Sequence, residues 1–126
     1  MNELLPGSAL VFTFQRDVRL FARRREVVRR VEKERLSVEL APEQLFHPGG
    51  PCDGSVRLGN LRVSEFLADG SEVTRAVLQA GAVFRVRLAA EAAPGSGYDL
   101  DRLVLMALGE TELWIVPPGR LVEAGL

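Results

Sequence analysis

Short apolar runs that alternate at every second residue, broken by glycine and proline, constrain this chain more than any other feature. In SALVFTF (8–14), Leu10, Phe12 and Phe14 share one face; in LSVEL, Leu36, Val38 and Leu40 do so; in ELWIV, Leu113 and Ile115 do so. A period of two is that of an extended strand with one face in water and the other on a core. AVFRVRLAA (82–90) reads the same way, and Pro6-Gly7 and EAAPGSG punctuate the runs as turns or loops. The pattern predicts a mainly β chain, a small antiparallel β-barrel or sandwich. One short helix is expected at about 72–80, in SEVTRAVLQAG, where Ser71 stands as an N-cap and Gly81 at the C′ position.

At 126 residues the chain suits a single β-rich domain, 1–126. An internal repeat refines this. A shift of 76 sets Val27 on Leu103, Val28 on Val104, Leu40 on Val116, Pro42 on Pro118 and Leu45 on Leu121. Upstream, PGSALVFTF matches AGAVFRVRL at a shift of 74. Two three-stranded halves, 6–45 and 80–121, would then be joined by a loop and helix over 46–79. REVVRRVEKERLSVEL (25–40) reads by itself as helix or as two strands, and the repeat favours strands turning at EKER. Residues 46–60, rich in glycine and proline, are expected to be loop, and LDRLVLMALGETELWIVPP a hairpin turning at Gly109-Glu110. The expected core is Leu10, Phe12, Phe14, Val27 or Val28, Val38, Leu40, Val77, Phe84, Val86, Leu103, Leu105, Leu113 and Ile115.

Catalytic chemistry finds little support. The only histidine, His47, lies in a loop next to Pro48, and Cys52 is the only cysteine, so neither a metal set nor a Cys–His nucleophile is indicated. No phosphate-binding loop and no nucleophile elbow occurs. Asp99/Asp101 and Glu110/Glu112 read as solvent-facing acids at hairpin ends, Phe84 and Trp114 as core. The chain is therefore read as a binding protein, not an enzyme, with no catalytic residue, no metal and no cofactor. No apolar run reaches the roughly 20 residues of a membrane span, and the N-terminus lacks a signal-peptide pattern, so a cytoplasmic location without membrane insertion is expected.

The net charge of −1 hides a basic segment. Nine basic residues and four acids between Arg16 and Arg35 leave an excess of five, so the remainder carries −6. Within FARRREVVRR stand Arg24, Arg25 and Arg29, spaced R-R-x-x-x-R, and DGSVRLG follows with Asp53, Ser55 and Gly59. Guanidinium groups fork onto phosphates and stack on flat rings.

This arrangement resembles the PilZ family, small β-barrels that bind cyclic di-GMP through an RxxxR segment and a D/N-x-S-x-x-G strand. The resemblance implies that Arg24, Arg25 and Arg29 contact the nucleotide, with Asp53 and Ser55 on a facing strand. Leu58 stands where that motif has glycine. The layout is also similar to the nucleotide-free N-terminal barrel beside PilZ in flagellar-brake proteins, which implies no messenger binding. Two further readings stay open for the arginines. One is a docking face for an acidic protein or for self-association. The other, less favoured because only Phe21 interrupts the basic stretch, is nucleic acid.

Overall fold

The computed structural model describes residues 9–16 and 19–126; the Pro6-Gly7 turn lies outside them. The alternating runs form strands. β1 (Leu10–Gln15) is followed by a 3-10 turn over Leu20–Ala22, α1 (Arg25–Glu34) and β2 (Leu36–Leu40). Next come β3 (Cys52–Leu58), β4 (Asn60–Phe66), β5 (Glu72–Gln79) and β6 (Val83–Leu88). The two-residue β7 (Tyr98–Asp99), β8 (Leu103–Ala107), β9 (Thr111–Val116) and α2 (Arg120–Glu123) complete the order.

Two antiparallel sheets result, in the orders β2-β9-β3-β6-β1-β7 and β5-β4-β8. They face one another as a jelly-roll-like sandwich, the mainly β architecture the alternation predicts. Phe12, Val56, Phe84, Val86 and Leu113 from the larger sheet meet Leu61, Val63, Leu78 and Leu105 from the smaller. The outer face of the larger sheet holds a second cluster, in which Val83, Trp114 and Val116 are covered by Leu20, Val31 and Leu121. Arg57 lies over both the Phe21 ring, at 4.9 Å, and the Trp114 ring, at 5.6 Å, so its guanidinium roofs this cluster.

The chain crosses between the sheets at four corners, and two of them meet. Gly59 ends β3 with φ of 81° and starts β4; a Cβ there would lie 2.3 Å from the Glu110 carbonyl. The second corner runs through Gly109, and it corrects the expected hairpin: β8 pairs with β4, whereas β9 pairs with β2 and β3. The Thr111 hydroxyl donates to the Asn60 carbonyl at 3.1 Å and so ties the two corners together.

Three other expectations are corrected. Residues 72–79 are strand β5, not helix: Ala76 and Leu78 point into the core, and Val73, Thr74 and Val77 are β-branched. Ser71 donates to Asp69 in a turn, at 2.6 Å, instead of capping a helix, and Val77 is consequently 39 % exposed instead of core. Residues 25–34 are helix, not strand, because Val28 and Val31 dock on the outer cluster at helical spacing. The Gly/Pro loop is shorter than 46–60, since Cys52–Leu58 is a central strand. The repeat partners β1 and β6 lie side by side, as do β2 and β9, but α1 breaks the correspondence over 25–34.

Gly54 marks the tightest contact of the core. A Cβ on it would sit 2.2 Å from Cζ of the buried Phe84 ring. Gly54→Ala should therefore cost about 1–3 kcal/mol by overpacking. Urea unfolding will check this, and adding Phe84→Leu should recover part of the loss.

Candidate functional site

The structure does not gather the residues singled out in the sequence. Arg24, Arg25 and Arg29 are all exposed, at the start and along the outer side of α1. Arg24 reaches Glu26 at 3.9 Å with both side chains in solvent, a pair worth little.

Asp53 and Ser55 lie instead on the outer face of β3, and both are buried. The Ser55 hydroxyl donates to the Ala82 carbonyl at 2.9 Å. The Asp53 carboxylate is fully buried, an arrangement tolerated only when its charge and lone pairs are matched. Its Oδ2 accepts from the Gly119 and Leu121 backbone N–H groups, each at 3.1 Å, at the otherwise unsatisfied start of α2. Its Oδ1 lies 2.7 Å from Nη1 of Arg87 on β6. Asp53 thus ties two strands and the C-terminal helix together.

A broad groove opens elsewhere, where the end of β1 and the β5–β6 turn face the edge strand β5. About 860 Å³ in volume, it is lined by Phe14, Gln15, Arg16, Arg19, Val77, Gln79 and Ala82. Phe14 stacks on the Tyr98 ring, 6.0 Å away and 4° from parallel, and the Arg75 guanidinium lies over that ring at 5.8 Å. Arg75 is itself fixed by Glu65 at 2.7 Å. The Arg19 guanidinium folds back to the Arg16 carbonyl. The sandwich interior is occupied: Phe12 stacks on Phe84 at 5.4 Å, and Phe46 meets Phe84 edge-on at 6.1 Å. The groove's wall is therefore half apolar, half amide and guanidinium.

No family model and no curated protein matches the chain. Solved structures do. The imidazole-bound CO-dependent transcription factor CooA from Carboxydothermus hydrogenoformans matches with a TM-score of 0.61 and 19 % identity, over 85 % of this chain and 44 % of that one. The N-terminal domain of a transcriptional regulator from Streptomyces coelicolor A3(2) matches with a TM-score of 0.58 and 21 % identity, over 86 % and 76 %. Oxidized CprK in complex with o-chlorophenolacetic acid matches with a TM-score of 0.55 and 15 % identity, over 78 % and 39 %. The chain has the fold of these regulator domains. It spans less than half the length of the CooA chain. The PilZ and flagellar-brake resemblance is thereby overturned, because the architecture belongs with the transcription regulators and not with the PilZ barrel. The short arginine and D-x-S motifs that suggested it lie on a solvated helix and a buried strand face.

The groove was hidden in the sequence because Val77 and Gln79 were assigned to a helix. Only Gln15 and Arg16, polar residues directly after an alternating strand, carry a local signal. His47 is exposed in the loop before β3, whereas Cys52 is buried on it. Among the described residues no group of three or more His, Cys, Asp or Glu side chains is placed to hold a metal.

Two outcomes are expected. Asp53→Ala should lower stability by about 3–5 kcal/mol in urea unfolding, since Arg87 and two amides lose their partner. Burial, followed by the neighbouring Asp53 charge, pushes the Cys52 thiol from 9.0 up to about 11. Between those values the unfolded thiol has lost its proton and the folded one keeps it. Stability should therefore fall as pH rises from 9 to 11, and Cys52→Ala should flatten that part of the profile.

Proposed function

We propose that this chain is a non-enzymatic effector-binding domain of a transcription regulator, taking a small aromatic or apolar anion in the groove at the β1–β5 seam. The observation that carries the reading is the wall of that groove. Phe14 and Val77 offer a flat apolar surface, the Gln15 and Gln79 amides border it, and Arg16 and Arg19 bring positive charge to its rim. A ring with one carboxylate meets each of these in turn.

The fold supports the same class of ligand. CooA is CO-dependent and was solved with imidazole, and CprK was solved with o-chlorophenolacetic acid, so domains of this architecture hold small molecules. With Phe12, Phe46 and Phe84 filling the interior, the seam is where this chain has room for one. Asp53 and Ser55 act in this reading as internal supports and make no ligand contact.

The test is a thermal-shift and calorimetric titration with aryl carboxylates, o-chlorophenolacetic acid among them. A binder present at about 100 times its Kd should stabilise the protein by about 2.7 kcal/mol. The gain should disappear in Arg16→Ala and in Val77→Trp, the second of which fills the groove. No shift from any aryl carboxylate, or a shift that survives both substitutions, would sink the proposal.

A further inference from the structure

Three cations of the basic segment, Arg25, Arg29 and Lys33, lie outside the groove on the exposed side of α1. On α1, Arg25, Arg29 and Lys33 recur at every fourth residue, so they line one side of the helix about 6 Å apart, opposite the buried Val31. None of the three makes an ion pair among the described residues. The neighbouring row differs: its Glu34 is taken by Arg120 at 2.9 Å.

The same molecule carries a complementary surface. A second groove, of about 470 Å³, lies beside the end of the edge strand β2 and is lined by Glu39, Leu58, Glu110 and Glu112, among others. Glu39 and Glu112 sit directly opposite one another in the β2–β9 register, a like-charge pairing that destabilises a sheet unless a cation intervenes. Glu112 accepts from Ser37 and from the Trp114 indole, at 3.0 and 3.2 Å, and Arg35 reaches only those two donors, at 3.3 Å from the Ser37 hydroxyl and 5.0 Å from the Trp114 ring; among the described residues Glu39, Glu110 and Glu112 have no ion pair. Leu58, 54 % exposed, supplies an apolar floor.

The geometry points to self-association: the Arg25–Arg29–Lys33 row of one copy seats in the Glu39–Glu110–Glu112 groove of a second. Three cations in a row on one side, and three carboxylates beside an exposed leucine on the other, are complementary in charge as two protein surfaces. A second copy is the occupant because it brings both charge patterns, the basic segment at +5 and the remainder of the chain at −6.

Sedimentation velocity on the full chain tests this with charge reversal. At about 0.01 M ionic strength, where the screening length is about 30 Å, the wild type should run as a species larger than the 13.8 kDa chain, and at about 1 M it should dissociate. Arg25→Glu/Arg29→Glu and Glu39→Arg/Glu110→Arg should each be monomeric at low salt, and the variant carrying all four changes should associate again. Far-ultraviolet circular dichroism will confirm that each exposed-site variant stays folded. A wild type that is monomeric at low salt overturns the inference, and so does a wild-type assembly that either reversal leaves intact. Failure of the fourfold variant to reassociate, or a monomer that binds a 20-mer of poly-glutamate or a DNA duplex instead, also overturns it.

Discussion

The carboxylate of Asp53 is the point on which the outer half of this molecule depends. It sits on β3, in the middle of the six-stranded sheet, with no exposure to water. An ionised group in that position is stable only if its surroundings replace the lost hydration. Arg87 from the adjacent β6 and two amides at the start of α2 do so. Because α2 is a single turn, its own helix bonds cannot hold it in place. The Asp53 carboxylate does, and Leu121 is thereby pressed onto Val83, Trp114 and Val116.

That anchor also decides where function can reside. The outer face of β3 is closed by the anchor and by the Ser55 bond to Ala82, and the inner face by the phenylalanine stack. Open space is left at the margins of the sandwich, where an edge strand meets a turn. The groove at the β1–β5 seam shares Ala82 with the anchor's surroundings: Ala82 lines the groove, and its carbonyl accepts from Ser55 and from the Val56 amide, at 2.9 and 3.2 Å. The β5–β6 turn therefore borders the groove on one side and the strand carrying Asp53 on the other.

Much of the fold was legible where packing follows a simple period. β1, β2, β6 and β9 show clean alternation, and the inward residues Phe12, Leu40, Val86 and Leu113 were identifiable from it. β5 was not, because a serine before and a glycine after a mixed run imitate helix caps. The strand is decided by its hairpin pairing with β4 and by the packing of Ala76 and Leu78 in the core, neither of which the run 71–81 contains by itself. The helix over 25–34 was obscured in the opposite way: Val28 and Val31 dock on the cluster of Trp114 and Leu121, remote in sequence, and a repeat argument pulled it toward strand. Asp53 and Ser55 stood out as polar residues in a motif, yet their burial could not be read from spacing. A buried carboxylate matched by distant amides looks, in sequence, like an exposed one awaiting a ligand.

Hydrogen exchange at the Gly119 and Leu121 amides tests the central role of Asp53 most directly, read in the wild type and in Asp53→Asn under native conditions. If the carboxylate holds α2 to the sheet, both amides are protected in the wild type. In the variant they exchange much faster, while amides of β4 and β8, in the other sheet, keep their protection. Equal exchange at Gly119 and Leu121 in the two proteins would contradict the account, since α2 would then be held by its apolar contacts alone.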